Sequence, residues 1–599
     1  MSSASASEDE LRRDIAVYTW ILSGIKGPGI PIVPSKHVNR NLSAAQHIVT
    51  LLTTGTSRTP DTGNQISAAS VLAATVAHLP NRNITRVVFT CNAYLDDPTE
   101  IIQVKAVTPT SNAQDVLENW YTRPPGKYYE DVLAVLRAFR DGTLSGVYLA
   151  GFKGLVFRRV YPKLALRMSL GTKIWGTHPI DIIGDYPVEK LQISFPFTIE
   201  LRVSGPVGRL KKRYNICHDK IAGGWRYLVT KENVGIWIRA FVEAYYEAST
   251  VLTAAMVPGT EISTRSDFVA LILGLDVVHA IIRSKLLDHL LVDEGLSSVL
   301  DIARRRAELT QGIEATAGIY VADETMDNTY DDPDEAATNT YAEFNESPGH
   351  QLLRYLKTII AWNAAIWSLT RPGHLPYDLE AYYVNLPKPA IAHSAMSACC
   401  KTIQHSIIES LKTEGMDDAT VSDQFDRLVQ NKKIGDERAI TTVLHAETGL
   451  MSLACLLHSG SSLLQSQDTL HLDTNVTLAL SEAFSTIILP IGVEKKCCWC
   501  CWKFYQFCQE MQAKKAYPEF QLLGSHMTIF PWYPPQHAPS EFLKRLRDEL
   551  VEVLKTVLRI SSLETSHFSQ TSAESPGEYE WVDIEDEEIA IKFLTRSVK

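Results

Sequence analysis

The feature that most constrains the fold of this chain is a set of metal-ligand side chains in two short segments near its C-terminal end. His445 and Glu447 lie two positions apart. Further along the chain stands a cluster of four cysteines, Cys497, Cys498, Cys500 and Cys501. One imidazole and two thiolates can hold a zinc ion and leave its fourth position for water. The fold must therefore bring the two segments together.

We assign His445, Cys498 and Cys501 as the zinc ligands and Glu447 as a proton shuttle that stays off the metal. Water on zinc loses a proton near neutral pH and becomes a nucleophile. Glu447 would take that proton and pass it to the departing amine. A His-x-Glu followed by Cys-x-x-Cys is the signature of zinc-dependent base deaminases. The sequence therefore predicts hydrolysis of the exocyclic amine of a nucleobase.

Local patterns predict elements that carry these residues. Leucines between positions 450 and 457 recur at helical spacing, which predicts a helix starting at or just after His445. Cys498 and Cys501 are three apart at the head of a second predicted helix, where residues of that spacing share a face and the helix dipole favours thiolates. The apolar segment Phe484–Pro490 predicts a short buried strand before the cysteines.

Two other interpretations of the cysteine cluster stay open at this point. By spacing alone, Cys497 with Cys500 makes an equally good Cys-x-x-Cys, and Cys497 stands where the deaminase signature has proline. The site would be structural and closed if a fourth protein ligand completed it. The candidates for that fourth ligand are Cys500, Cys508 and His458. Free cysteines also serve simply as small buried apolar side chains.

Beyond the metal-ligand motifs, two further segments extend the pattern. They are Ile491–Trp502 and the stretch with Gly524-Ser525-His526 and Phe530-Pro531-Trp532. Across about residues 390–560 the chain resembles a family of deaminase-like proteins common in fungal genomes. That resemblance implies a cytidine-deaminase-like α/β fold, with zinc on His445, Cys498 and Cys501 and with Glu447 as proton shuttle.

The loop that follows Gly524 supplies candidates for substrate binding. Trp532 or Tyr533 could stack on a flat ring, and His526 could bond a base edge or a phosphate. Tryptophan among prolines is more often a packing residue, which is the alternative for Trp532. The substrate class predicted is a nucleobase compound, either a small molecule or single-stranded nucleic acid.

Composition changes along the chain predict five segments. Residues 1–320 form an N-terminal region of unassigned function, which mixes helical patterns at 128–140 and 235–256 with strand-like alternation at 85–91, 191–203 and 226–229. Acidic residues dominate the predicted linker 321–349, a helical connector spans 350–389, the deaminase-like zinc domain spans 390–560, and an acidic, disordered tail follows at 561–599. The fold class predicted is α/β: a C-terminal cytidine-deaminase-like mixed sheet flanked by helices, with an N-terminal mixed α/β or mainly helical region.

Charge and composition narrow the protein class. A net charge of −11 argues against a protein that coats nucleic acid nonspecifically, and it leaves local basic groups at Arg209–Arg213 and Arg304–Arg306. Bunched cysteines and the lack of a long apolar run predict a cytoplasmic or nuclear protein with no membrane association. The N-terminal region and the acidic tail are the candidate contacts for protein partners. The alternative function is a catalytically inactive, zinc-stabilised interaction or effector protein.

Overall fold

The structure of this protein is a computed structural model, and it describes most of the chain. The described residues are 7–28, 40–54, 72–91, 102–201, 218–221, 224–256, 264–311, 347–371, 373–387, 390–430, 439–441, 444–458, 473–486, 488–493, 496–514, 517–525 and 527–571.

Helices make up most of the described residues. They are α1 (Glu8–Ile21), α2 (Arg40–Leu52), α3 (Ala113–Glu118), α4 (Tyr128–Arg140), α5 (Leu149–Trp175), α6 (Pro179–Asp185), α7 (Val234–Met256), α8 (Arg265–Arg283), α9 (Leu286–Leu291), α10 (Glu294–Gln311), α11 (Pro348–Ile359), α12 (Ala361–Leu369), α13 (His393–Thr413), α14 (Asp418–Gln430), α15 (Ala446–His458), α16 (Thr474–Phe484), α17 (Trp499–Ala513) and α18 (Ser540–Thr571).

The strands are short. They are β1 (Leu72–Leu79), β2 (Ile84–Cys91), β3 (Gln103–Ala106), β4 (Phe197–Leu201), β5 (His218–Ile221), β6 (Gly224–Val229), β7 (Asp378–Asn385), β8 (Ala390–Ala392), β9 (Ala439–Thr441), β10 (Ile488–Pro490), β11 (Gly492–Val493) and β12 (Glu519–Gln521).

The main sheet has five strands in the order β11-β1-β2-β7-β3. Strand β1 is antiparallel to both β11 and β2, β2 is parallel to β7, and β3 is antiparallel to β7. Strand β10, which directly precedes β11, pairs in parallel with β12. Helix α17 therefore connects two parallel strands, and such connections pack a helix on one face of the sheet.

Two hydrophobic cores lie against the main sheet. The first is formed by helices α2 to α12, one face of β1, β2 and β7, and strands β4 and β6 of the small sheet β4-β6-β5. The second contains α1, the other face of β1 and β2, and the segments from β7 to α18 that carry the cysteines. Alternation of side chains along β1 and β2 places Ala74 and Val76 in the first core and Ala73 and Ala77 in the second.

A buried arginine ties the sheet to the second core. Arg86 on β2 is 3% exposed, and its guanidinium contacts Glu380 on β7 at 2.8 Å and Glu482 on α16 at 3.0 Å. A buried charge is tolerated when it is paired and hydrogen-bonded in this way. Its two partners fix β7 and α16 against the same strand.

The coarse fold prediction is confirmed, because the described residues form mixed sheets covered by helices. Helix α4 begins and ends where the sequence predicts, and α7, β2 and β6 match their predicted segments closely. The strand predicted at Phe484–Pro490 is shorter than expected: α16 continues to Phe484, and among the described residues of this segment the strand is Ile488–Pro490.

The main sheet joins segments that the predicted domain boundaries place apart. Strands β1 and β2 belong to the predicted N-terminal region and β11 to the predicted zinc domain. Strand β7 lies in the connector 350–389, which the sequence predicts to be helical and whose described residues are helical only as far as Leu369. The boundaries themselves stay predictions. The acidic linker lies almost wholly outside the described residues, and α18 continues to Thr571, within the segment predicted as tail.

Of the two basic groups in the sequence, 209–213 and 304–306, the structure describes the second. Residues 209–213 lie outside the described part of the chain. Arg304 and Arg305 both pair with Asp301 on their own helix, at 3.1 Å and 2.8 Å. No helix among the described residues combines the length and apolarity needed to cross a bilayer.

Candidate metal centre

The structure brings His445, Cys498 and Cys501 together in a group that could hold a metal ion. The two sulfurs are 3.3 Å apart, and each lies 3.3 Å from Nδ1 of His445. The centre of such a triangle is about 1.9 Å from each corner, and zinc takes nitrogen at ~2.0 Å and sulfur at ~2.3 Å. These spacings would allow His445, Cys498 and Cys501 to bind one ion together.

Helix α17 positions the two cysteines. Cys498 is the N-cap residue, and its Sγ accepts a hydrogen bond from the backbone N–H of Cys501 at 3.4 Å. A sulfur in this position receives an otherwise unsatisfied helix N–H and the positive end of the helix dipole, and both favour the thiolate. The first turn then places Cys501 beside Cys498.

Helix α15 positions the histidine and the glutamate. The carbonyl of His445 accepts the first backbone bond of this helix, from Gly449 N–H at 2.9 Å, so His445 is its N-cap residue. Glu447 lies in the first turn and is 3% exposed. The positive end of the helix dipole favours a carboxylate in this turn.

The ring of His445 is held from its second side. It hydrogen-bonds the backbone of Pro531. Proline has no N–H, so the ring donates and the carbonyl accepts. Because Nδ1 faces the two sulfurs, Nε2 is the nitrogen left to donate. Metal-binding histidines commonly use such a bond to fix their tautomer and ring orientation.

The electrostatics of the group pair a thiolate with an imidazolium. Burial opposes ionisation of Cys498, but hydrogen bonds from Cys500 and Cys501 and the charge of His445 hold its pKa well below the usual value. Burial would lower the pKa of His445, yet the neighbouring Cys498 thiolate outweighs it and raises this pKa to about 9. Burial raises the pKa of Cys501 well above its usual value. Metal binding would release these protons.

Glu447 has an unused oxygen beside the group. Its side chain hydrogen-bonds Cys501, and burial raises its pKa. Its Oε2 is buried and has no hydrogen-bond partner in the structure. A buried carboxylate oxygen without a partner costs free energy, so a ligand that bonds it would be stabilised there. This orphaned oxygen and the donor set of one imidazole and two sulfurs fit a metal centre with room for a further ligand.

The alternative cysteines do not join the group. The Sγ of Cys497 donates to the carbonyl of Gly524 at 3.2 Å, and burial raises the pKa of this thiol. The Sγ of Cys508 lies 3.9 Å from that of Cys455. Among the residues that the structure describes, neither Cys500, Cys508 nor His458 belongs to the ligand group. The described side chains therefore supply three candidate ligands and no fourth.

Cys497, which stands where the predicted signature has proline, makes two backbone hydrogen bonds. Its backbone N–H donates to the carbonyl of Gly524 at 3.2 Å, and its own carbonyl accepts from the Ser525 hydroxyl at 2.7 Å. Proline has no N–H and would lose the first of these bonds. Hydrogen bonds therefore join Cys497, which directly precedes the ligand Cys498, to the loop that follows β12.

The predicted substrate-binding residues lie in different surroundings. His526 is outside the described residues. Trp532 is fully buried, with its ring edge-on to Phe542, so stacking on a base would require that its ring be uncovered. Tyr533 is half-buried, and burial raises its pKa. These substrate contacts stay predictions.

Sequence reasoning did not identify two residues that support the group. One is Pro531, whose carbonyl bonds His445. The other is Thr19 on α1, whose hydroxyl bonds the backbone of Trp532. Neither contact has a sequence signature, because each uses backbone groups of a loop: the Pro531 carbonyl, and the N–H and carbonyl of Trp532. Comparison with protein-family models, curated proteins and solved structures found no match to this chain.

Proposed function

We propose that this protein is a zinc-dependent deaminase that hydrolyses the exocyclic amine of a nucleobase, free or within single-stranded nucleic acid. The observation that carries the proposal is the pairing of a three-ligand group with the unpartnered Oε2 of Glu447. A closed structural site has no need of a buried carboxylate next to its ligands. A general acid–base catalyst does need one within reach of the reacting atoms.

The side chains divide the work as follows. His445, Cys498 and Cys501 would hold zinc, which supplies Lewis acidity that lowers the pKa of a coordinated water. Glu447 would accept a proton at Oε2 and return it to the leaving amine. Its raised pKa suits both steps, because a group that exchanges protons near the working pH is the better shuttle.

The proposal extends to the finer fold and the family. Two features support a cytidine-deaminase-like arrangement. Helix α17 connects the parallel strands β10 and β12, and helix α15 has His445 and Glu447 at its N-terminal end. The motifs at 445–447 and 497–502 support membership of the deaminase-like family common in fungi.

The test uses the purified full-length chain. We expect about one zinc per chain by elemental analysis, and ammonia release from at least one member of a panel of cytidine, adenosine and guanosine compounds and single-stranded DNA and RNA. Glu447→Gln should keep the zinc and lose ammonia release by roughly 10²- to 10⁴-fold. Cys498→Ser should lose the zinc.

A matched control is Glu510→Gln, which removes an exposed carboxylate that pairs with Arg545 at 2.8 Å. It should leave zinc content and ammonia release unchanged. Zinc bound without ammonia from any substrate in the panel would favour the inactive interaction protein. Undiminished release by Glu447→Gln would reject the proposed shuttle.

A further inference from the structure

The N-terminal residues pack directly on the segments that carry the candidate ligands. Helix α1 opens with a capping box, in which Ser7 Oγ accepts from Glu10 N–H and Glu10 Oε2 accepts from Ser7 N–H. Buried residues of α1 belong to the same core as the cysteines, and the helix packs along α18. Arg12 donates from α1 to the carbonyl of Gln536 at 2.6 Å.

The chain after α1 pairs with the loop that follows β12. We call residues 22–28 the N-terminal strap. Within it, Gly24 N–H donates to Ile529 at 2.8 Å, and Gly27 N–H donates to Met527 at 2.8 Å. In return, Ile529 N–H donates to the carbonyl of Ile25 at 2.9 Å. The strap therefore forms a short antiparallel pair with residues 527–529.

One contact reaches the histidine side of the metal centre. The fully buried hydroxyl of Thr19 accepts from Trp532 N–H at 3.0 Å. The same hydroxyl donates its proton to two carbonyl oxygens, that of Trp532 at 3.1 Å and that of Ala16 at 3.0 Å. Trp532 directly follows Pro531, whose carbonyl holds the His445 ring. The Pro531 carbonyl and the Trp532 N–H belong to one peptide group, so Thr19 fixes the peptide whose carbonyl orients His445.

A second contact reaches the cysteine side. Gly27 lies against the Trp499 ring so closely that an added Cβ would be 2.3 Å from a ring carbon. The indole N–H of Trp499 donates to the carbonyl of Pro28 at 3.1 Å. Trp499 directly follows Cys498, and its backbone N–H donates to Thr528 at 3.0 Å. The strap therefore also braces the first residue of the helix that Cys498 caps.

We propose that α1 and the N-terminal strap are a positioning element of the metal centre, with Thr19 as a positioning residue for His445 and Gly27 as the close-contact residue for the Cys498 side. The inference rests on the proposed function in so far as it requires a metal in the site. It gives residues 7–28 a role at a centre more than four hundred positions away along the chain.

The first test removes the Thr19 hydroxyl and keeps its shape. Thr19→Val should weaken metal affinity by on the order of 10-fold, because partners that orient a ligand typically contribute 10- to 100-fold. Thr19→Ser keeps a hydroxyl and should restore most of that affinity. The readout is the dissociation constant for Zn²⁺ from chelator competition, together with the charge-transfer absorption of the Co²⁺-substituted full-length protein.

The control for lost stability is Thr358→Val in α11. Thr358 is 2% exposed and its hydroxyl donates to Tyr355 at 2.7 Å within its own helix, as that of Thr19 does to Ala16. Thr358→Val should lower the melting temperature and leave the metal dissociation constant unchanged. Equal dissociation constants for Thr19→Val and Thr358→Val would overturn the inference.

The second test acts on the strap. Gly27→Ala should displace the strap from Trp499 and weaken metal affinity, whereas Gly126→Ala adds a Cβ with no atom within 4 Å and should not. If the wild-type protein binds no metal, the proposed function fails as well. If it binds metal and both Thr19→Val and Gly27→Ala bind it as tightly as the wild type does, only the inference about residues 7–28 fails.

Discussion

At the scale of single residues, burial has opposite consequences for the charged groups of this protein. Arg86 is buried beside two carboxylates that neutralise it, so it serves the structure. Glu447 is buried beside His445 and Cys501 with one oxygen unpaired. An uncompensated oxygen destabilises the protein by ~1–3 kcal/mol, and such costs are typical of functional sites. The contrast is why we place the chemistry at Glu447.

A buried histidine away from the site predicts acid sensitivity. His47 on α2 is 2% exposed, and burial lowers its pKa to about 3. The unfolded chain, with an ordinary histidine pKa of about 6.5, binds a proton more readily than the folded chain, so stability falls as the pH drops below that value. Lowering the pH from about 7.5 to 5.5 should destabilise the fold by ~1 kcal/mol through His47.

The measurement is the shift in melting temperature between these two pH values. His47→Gln should show a smaller shift than the wild type, because glutamine does not titrate. His405→Gln, at an exposed position on α13, should keep the wild-type shift. Identical shifts in all three proteins would show that His47 does not cause the loss of stability between these two pH values.

The grouping of His445, Cys498 and Cys501 could be anticipated because side-chain chemistry and spacing carry it. A histidine at a helix start and two cysteines three apart on another helix restrict the number of arrangements in which all three can bind one ion. The Pro531 carbonyl could not be anticipated, because every residue has one. The Thr19 contact joins positions 513 apart in sequence, a separation over which no local pattern acts.

At the scale of elements, α2 and β11 form a contact that is possible because Gly492 has no side chain. An added Cβ at Gly492 would lie 2.5 Å from the backbone carbon of Ala45. The close approach lets the Gln46 amide donate to the Val493 carbonyl at 2.7 Å and accept from Val493 N–H at 3.0 Å. A helix side chain thus completes the hydrogen bonds of the strand that leads to the cysteines.

Gly492→Ala should therefore push α2 off the strand and break both Gln46 bonds. The expected cost is about 3 kcal/mol, since overpacking against backbone atoms cannot be relieved by a side-chain rotation. Thermal unfolding of the variant measures it against Gly146→Ala, where an added Cβ meets no atom within 4 Å. A melting temperature equal to that of the control would show that α2 is free to move at this contact.

The same elements show which parts of the fold a sequence reveals. Helix α4 was predictable to the residue because a long amphipathic pattern with charged ends is a local signal. Strand β11 has two residues, too few to show any alternation, and its partner β1 is more than four hundred positions away. Pairing between strands so far apart is specified by packing and not by local propensity.

At the scale of the whole molecule, the sheet makes the candidate site depend on distant segments. The second core contains α1 and residues of β1, β2 and β7 as well as the predicted zinc domain. A fragment of residues 390–560 would lack all four, leaving β11 without its partner and apolar surface of α15, α17 and α18 exposed. Unpaired edges and exposed cores of this kind favour aggregation over folding.

We therefore expect the 390–560 fragment, expressed alone, to show no cooperative thermal transition and to have low solubility, whereas the full-length chain unfolds cooperatively and is stabilised by zinc. Near-ultraviolet circular dichroism during heating compares the two directly, because it reports the fixed packing of tryptophans such as Trp499 and Trp532. Zinc at 100 times its dissociation constant should stabilise the full-length chain by ~2.7 kcal/mol and the fragment not at all, since only a folded site offers three ligands at once. A fragment that melts cooperatively and gains the same stabilisation would show that the metal centre needs neither α1 nor the main sheet. These elements would then stabilise only the part of the protein outside residues 390–560.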